Sequence, residues 1–241
     1  MQCKGKETPE TTKQISKYKN KTRGFKTMRS KAMERKYKLT DETKRLWDIT
    51  LYRIEALRDF SNVKAGDKGG WIESEENLSQ EDTCWVYDDA EVFDTAEVYG
   101  RAQVYGDARV YKNSAVHEDA QVYGGGQIDE NAQAYGHAQI GENAHVYGNA
   151  QLCGDARVHG SVEVSGNAIV GSDRDYIVFK NWWSSGRYFT WTRSNNMWRV
   201  GCFLGTGEEL IRKAYEDSKR SGREYERIVR YVDEILKAEE K

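Results

Sequence analysis

The feature of this sequence that most restricts its fold is an uninterrupted six-residue repeat. Residues 84–173 divide into fifteen consecutive units with no insertion or deletion. The first position is Ala in eleven units, the third is Val in eleven, the fourth is Tyr or Phe in eight, the fifth is Gly in eight, and the sixth is Asn or Asp in ten. A unit this short cannot bury its own apolar face, so it must stack on its neighbours. The repeat therefore predicts a solenoid.

Each position of the unit has its own structural role. Positions one to four predict a short strand, with one and three facing inward and two and four outward. Gly followed by Asn or Asp predicts a tight turn at positions five and six, where positive φ is needed. Stepping by eighteen residues aligns like amides in two columns: Asn113, Asn131, Asn149 and Asn167, and Gln103, Gln121 and Gln139. Such columns predict side-chain amide ladders between successive coils.

The runs Val-Tyr-Gly-Asp-Ala-Arg at 104–109 and Ile-Gly-Glu-Asn-Ala at 140–144 resemble the hexapeptide consensus of left-handed parallel β-helices. In that family three hexapeptides form one triangular coil. The resemblance implies a mainly β chain whose residues 84–173 form a left-handed parallel β-helix of about five 18-residue coils. At roughly 4.8 Å per coil, the prism would be about 24 Å tall.

Three segments of different composition flank the repeat. Residues 1–36 form a basic arm that we predict to be disordered, and residues 37–83 an N-terminal cap with degenerate repeat units. Residues 174–241 predict a C-terminal cap of strands followed by two helices, which begin at capping boxes in residues 206–209 and 221–224. Caps are required because the end strands of a β-helix would otherwise leave their edges unpaired.

The flanking runs Gly-Gly-Trp-Ile-Glu-Ser at 69–74 and Gly-Thr-Gly-Glu-Glu at 205–209 resemble those of hexapeptide-repeat proteins in phages and prophages. The resemblance covers roughly residues 37–230. It implies an architecture more than an activity, since most of these proteins are uncharacterised.

The net charge of −2 conceals a basic arm and an acidic body. Residues 1–40 carry 13 Lys/Arg and 3 Asp/Glu, whereas residues 72–173 carry 4 and 19. An acidic rod can imitate the charge of a nucleic-acid backbone and occupy a basic groove on another protein. It can equally be a well-solvated surface. The arm has few aromatic residues among its basic ones, so we expect a tail more than a nucleic-acid-binding element.

Acyl transfer is the main enzymatic alternative, because many left-handed β-helices are trimeric acyltransferases that use a histidine as general base beside an extruded loop. No loop interrupts this repeat, and the histidines fall at outward or turn positions: His117, His137, His145 and His159. We therefore predict no catalytic residue and no cofactor. Asp119, His137 and Asp155 share one column, but such residues are more often turn formers, so no metal site is predicted.

Aromatic columns on the outer surface are the candidate binding residues. Columns of Tyr or Phe should stand on all three faces, and contiguous exposed aromatic side chains indicate an interface. The candidate site combines one column with the acids of the first coil: Tyr87, Tyr105, Tyr123, Asp88, Asp89, Glu91, Asp94 and Glu97. The alternative is that the tyrosine columns only stabilise the sheets by stacking.

Four tryptophans in the C-terminal cap exceed what so small a unit can bury: Trp182, Trp183, Trp191 and Trp198. Some should form its core, while others contribute to a pocket or an oligomer contact. Arg187 and Arg193 lie close by in sequence, which allows a nucleotide or anion site.

Together these features favour a cytoplasmic, non-enzymatic binding protein of phage or prophage type. It would be a homo-oligomer whose acidic, tyrosine-rich β-helix engages, and can inhibit, a host macromolecule such as a defence nucleoprotein. The alternatives are an acyltransferase that uses acyl-CoA and a structural or assembly protein. No apolar run approaches the roughly 18 residues needed to cross a membrane, and the basic N-terminus lacks the apolar core of a secretory signal.

Overall fold

The computed structural model describes residues 35–239 and shows a parallel β-helix with antiparallel strands at both ends. The two-residue strands of the hexapeptides run parallel, and each regular strand pairs with the one eighteen residues further along. Every third strand therefore belongs to the same sheet, which gives the helix three faces. The mainly β fold and the three-unit coil predicted from the repeat are confirmed.

Three strands precede the regular coils: β1 (Tyr37–Leu46), β2 (Ile49–Ala56) and β3 (Lys68–Ile72). β1 and β2 form an antiparallel hairpin, β2 pairs antiparallel with β3, and β3 pairs parallel with the first coil. The hairpin thus extends one sheet of the helix to eight strands. β1 was not predicted from the sequence.

We number the faces in the order in which the chain reaches them. The first face contains β4 (Trp85–Val86), β7 (Gln103–Val104), β10 (Gln121–Val122), β13 (Gln139–Ile140) and β16 (Arg157–Val158). The second contains β5 (Glu91–Val92), β8 (Arg109–Val110), β11 (Gln127–Ile128), β14 (His145–Val146) and β17 (Glu163–Val164). The third contains β6 (Glu97–Val98), β9 (Ala115–Val116), β12 (Gln133–Ala134), β15 (Gln151–Leu152) and β18 (Ile169–Val170).

The turns between the faces form three corners: the first corner joins faces one and two, the second joins two and three, and the third joins three and one. Position five of the unit has positive φ at these corners. The glycines there have φ of 58–77°, and the Asp, Glu and Lys residues that replace glycine have φ of 52–58°. Positions one and three are buried, as predicted, and form one continuous core through the prism.

The degenerate units before residue 84 form a further coil. Ile72 pairs with Val92 and Leu78 bridges Val98, in each case over twenty residues instead of eighteen. The two additional residues lie in the stretch between Leu78 and Val86, where the regular spacing of six becomes eight. The helix therefore has about six turns, one more than the fifteen regular units supply.

The chain segment at the start of the described structure closes the N-terminal end of the prism. Tyr37 and Phe60 pack edge-on against Trp85, with ring centroids 6.0 and 5.3 Å apart. Lys36 is fully buried, and its Nζ donates to the carbonyl oxygen of Cys84 at 2.9 Å. The basic arm predicted over residues 1–36 lies outside the described residues except for its last two, which belong to the fold because they pack on the first coil.

The C-terminal cap is a four-stranded antiparallel sheet covered by two helices. Its strands are β19 (Tyr176–Lys180), β20 (Tyr188–Thr192), β21 (Met197–Val200) and β22 (Phe203–Gly205), and its helices are α1 (Gly207–Asp217) and α2 (Lys219–Glu239). The capping box at Thr206 is confirmed, since Thr206 and Glu209 exchange both hydrogen bonds. The second predicted box is wrong: α2 begins at Lys219, and the Ser221 amide already donates to Ser218 Oγ. No described helix is long and apolar enough to span a membrane.

Candidate binding faces and the aspartate–histidine pair

The first face carries almost no charge on its outward side chains. Its two outward columns are Trp85, Gln103, Gln121, Gln139 and Arg157, and Tyr87, Tyr105, Tyr123, Gly141 and His159. Arg157 is the one Asp, Glu, Lys or Arg residue in these two columns. Exposed acids stand at its corners: Asp88, Asp89, Asp107 and Glu142 at the first, and Glu118, Asp155 and Asp173 at the third, where the exposed Arg101 also pairs with Asp119. The acidic residues and the tyrosines predicted to share a face are thus separated into rim and centre.

The tyrosines of the first face are half-buried and packed on one another. Tyr105 and Tyr123 stack with ring centroids 5.4 Å apart and planes inclined by 12°. Tyr123 then lies over Gly141, where an added Cβ would come 2.2 Å from its Cζ. The Tyr87 hydroxyl donates to Asn62 Oδ1 at 2.8 Å. Burial raises the pKa of Tyr105 above its usual range.

Only one of the two amide columns forms a ladder. Asn113, Asn131, Asn149 and Asn167 are linked by hydrogen bonds of 3.3, 3.2 and 3.1 Å at the second corner. The glutamines of the first face are aligned in register. Among the described residues, however, the side chains of Gln103, Gln121 and Gln139 have no hydrogen-bond partner, so the predicted glutamine ladder is wrong. The amides are therefore available to groups outside the helix.

Three acids of the predicted site make hydrogen bonds within the fold. Asp88 Oδ2 accepts from the Gly106 amide, and Asp94 Oδ2 accepts from the Lys112 amide, both at 3.0 Å. Each carboxylate at position five thereby holds the corner of the next coil. Asp89 Oδ1 accepts from the Trp71 indole nitrogen at 3.2 Å.

The remaining predicted acids lie elsewhere. Glu91 is on the second face, only 2% exposed, and pairs with Lys44 at 2.5 Å and Arg109 at 2.8 Å. The hairpin covers it, which sequence reasoning could not foresee because β1 was not predicted. Glu97 is exposed on the third face. The eight predicted residues therefore surround the first coils. Five of them lie together on the first face and its first corner: Tyr87, Tyr105, Tyr123, Asp88 and Asp89.

The third face carries a continuous stack of three rings. His117 lies between Tyr99 and Tyr135, with centroid separations of 4.7 and 5.2 Å and planes parallel within 4°. Burial between the rings lowers the pKa of His117 to about 4. His117 is thus a neutral packing residue of the aromatic column at physiological pH.

The second face contains a polar cluster that the sequence analysis missed. Asp129 occupies position four, where neighbouring coils have aromatic rings, and it is only 3% exposed. His145 Nε2 lies 3.0 Å from its Oδ1, and Lys112 Nζ donates to its Oδ2 at 2.8 Å. Burial raises the pKa of Asp129, but the hydrogen bonds from His145 and Lys112 outweigh it and hold the pKa below its usual range. The sequence signal that could have revealed this cluster is Asp129 itself, an acid at a position where the neighbouring coils have aromatic residues.

In the column of Asp119, His137 and Asp155, which was considered for a metal site, Asp119 forms an ion pair with Arg101. The Arg101 guanidinium donates two hydrogen bonds of 2.6 and 2.5 Å to the Asp119 carboxylate. His137 Nδ1 lies 3.9 Å from the same carboxylate. Among residues 35–239 there is no group of three His, Cys, Asp or Glu side chains placed to hold a metal ion.

The cap tryptophans divide as expected between core and surface. Trp183, Trp191 and Trp198 are buried, whereas Trp182 is 69% exposed. Arg193 lies over the Trp191 ring and pairs with Glu239 at 2.7 Å, so it is engaged within the cap. Arg187 is exposed.

Comparisons with known proteins support the repeat fold. A family model described as the YdcK beta solenoid repeat matches residues 102–118 and 150–166. The "Uncharacterized acetyltransferase YdcK" of Escherichia coli (strain K12) is 42% identical over 64 residues, which is 22% of this chain and 19% of that protein. The chain thus spans about a fifth of the length of the curated relative it matches. Neither match names a phage protein, so the phage or prophage resemblance stays a prediction.

Proposed function

We propose that this protein is a non-enzymatic binding protein that holds a partner protein against the first face of its β-helix. The observation that carries this proposal is the distribution of charge: the centre of the face is uncharged, and exposed acids line both of its corners. Protein interfaces have centres depleted of charged residues and enriched in Tyr, inside a polar rim. The first face has this composition over its three middle coils, between the buried Trp85 of the first coil and Arg157 of the last.

The unpaired amides of Gln103, Gln121 and Gln139 add directional contacts to that surface. They repeat at the strand spacing of roughly 4.8 Å, beside the stacked rings of Tyr105 and Tyr123. The backbone of the strands that carry them is hydrogen-bonded from coil to coil. For example, the backbone N–H of Gln103 donates to the backbone carbonyl of Ala120 at 3.0 Å. A surface already held in one conformation loses little entropy on binding.

The acidic rim indicates the chemistry of the partner. Carboxylates on both sides of a neutral strip complement a protein whose contact surface is edged with Lys and Arg. A groove that binds a nucleic-acid backbone has this property, and occupying it would inhibit the partner. The resemblance of the flanking segments to phage and prophage proteins makes a nucleoprotein of the host the partner that we propose.

The test is capture from host lysate with matched face variants. The variant Tyr105→Ala/Tyr123→Ala removes the centre of the first face, and Tyr99→Ala/Tyr135→Ala removes the same number of rings from the third face. We expect the first variant to lose a protein that the wild type and the second variant both retain. Capture should weaken as salt rises, because rim charges are screened. Equal capture by both variants would disprove the role of the first face.

A second candidate is acyl transfer, favoured by the contact between His145 and Asp129 and by the printed name of the E. coli relative. An aspartate that orients a histidine is the arrangement of a general base. Calorimetric titration with acetyl-CoA separates the two functions. Binding by the wild type that is lost in His145→Ala would replace our proposal, and no binding is the expected result. Light scattering on the same samples measures the self-association expected from the sequence.

A further inference from the structure

We propose that the basic N-terminal segment, residues 1–34, docks along the third face of its own β-helix. This inference concerns the third face, which meets the first face of the proposed function at the corner of Glu118 and Asp155. The occupant is a part of the chain that precedes the described residues. Two observations carry the proposal: the point at which the chain joins the prism, and the match of charge.

The chain joins the prism directly above the third face. Arg35 forms an ion pair with Glu75, and the Lys36 amide donates to Gln80 Oε1 at 2.9 Å. Glu75 and Gln80 stand on either side of Leu78, which bridges Val98 at the top of the third face. The preceding residues therefore start at the end of this face. An extended chain covers about 3.3 Å per residue, so roughly eight residues would reach along five coils of about 4.8 Å each.

The charges of the segment and of the face are opposite. Residues 1–34 carry 10 Lys/Arg and 3 Asp/Glu. The third face and its two corners present exposed carboxylates at successive levels: Asp94, Glu97, Glu118, Glu130, Asp155 and Asp173. They outnumber the two cations of these corners, Arg101 and Lys112, which pair with Asp119 and with Asp129 and Glu130. Tethering raises the local concentration of the segment, so each weak contact counts for more than it would between separate molecules.

The centre of the third face suits the apolar parts of such a segment. The parallel rings of Tyr99, His117 and Tyr135 form a ribbon over three coils. Lysine stems pack well on aromatic surfaces while their ammonium groups reach the carboxylates at the edge.

Zero-length carbodiimide cross-linking of the full chain, followed by peptide mapping, tests the proposal. We expect lysines of residues 1–34 to be joined to Glu97, which stands on the third face, and to Glu130, which stands at the corner between the second and third faces. Asp107 and Glu142 at the first corner are the matched controls, since they are equally exposed but lie away from the third face. The third-face products should disappear at about 1 M salt, where the Debye length is about 3 Å.

Two results would overturn the proposal. The first is equal cross-linking to Asp107 and Glu142, which would mean that the segment has no preferred face. The second is cross-linked peptides that mix isotopes when ¹⁵N-labelled and unlabelled chains are combined, which would place the segment on a second copy. A Glu97→Gln/Glu130→Gln variant with unchanged folding should shift the remaining products to Glu118 and Asp155.

Discussion

The stability of the protein should fall between pH 6.5 and 4 because of one histidine. His117 is packed between the rings of Tyr99 and Tyr135, and burial lowers its pKa to about 4 from the 6.5 of a free side chain. Between these values the unfolded chain binds a proton that the folded chain excludes. Folding stability therefore decreases as the pH falls through this window, is fully present above it, and stays reduced below it.

The size of the effect follows from the two pKa values. Between pH 7.5 and pH 5 the single histidine should remove about 2 kcal/mol of stability, from a full difference of about 3 kcal/mol. His117→Tyr extends the aromatic column without an ionisable imidazole. Its other titrating groups are unchanged, so subtracting its pH profile from that of the wild type isolates His117.

Urea denaturation of both proteins at the two pH values is the assay. We expect the wild type to lose about 2 kcal/mol more than His117→Tyr on acidification. Parallel losses would refute the reasoning, and would mean that the two tyrosine rings stabilise the imidazolium as strongly as water does. An NMR titration of the His117 ring gives its pKa directly and should agree with the denaturation result.

Three further predictions concern packing and hydrogen bonding in the prism. Gly141→Ala should destabilise the folded protein by about 1–3 kcal/mol, because the new methyl group displaces the Tyr123 ring. The same substitution should cost nothing in a Tyr123→Ala background. Additive effects in a double-mutant cycle would contradict this contact. Asn131→Ala removes two hydrogen bonds of the ladder and should lower the free energy of unfolding by about 1–2 kcal/mol. Asn167→Ala, at the end of the ladder, removes one bond and should cost half as much in urea unfolding. Equal losses would argue against the ladder. Asp129→Asn should destabilise the folded protein by about 1–3 kcal/mol at pH 7. Because the folded state holds the pKa of Asp129 below its usual range, the difference in stability from wild type should shrink as the pH falls below about 4. A difference that persists in acid would show that the charge is not responsible.

Sequence reasoning predicted the regular part of the fold well because the repeat encodes it directly. The alternation of Ala, Val and Tyr fixes which side chains enter the core, and the eighteen-residue step fixes the neighbours of Asn131. Degenerate units were predicted before residue 84, but not that they complete a further coil, because Ile72 and Leu78 pair over twenty residues, which breaks the period.

The candidate site was harder to predict, since it depends on which side chains pack or pair across coils and caps. Glu91 looked like a surface acid, but Lys44 of a hairpin 47 residues earlier in the chain covers it. His145 looked like an isolated surface imidazole, but its partner Asp129 lies sixteen residues away, a diagonal step between coils. Such contacts depend on side-chain direction, which the repeat period alone does not specify.

The regular spacing of eighteen residues makes the length of this protein adjustable in discrete steps. Each coil bonds only to the coil above and the coil below, so removing residues 120–137 as one block would join coils of the same register. The protein should become shorter by about 4.8 Å with both ends intact. A rod of this design can therefore be matched in length to whatever it spans, one layer at a time.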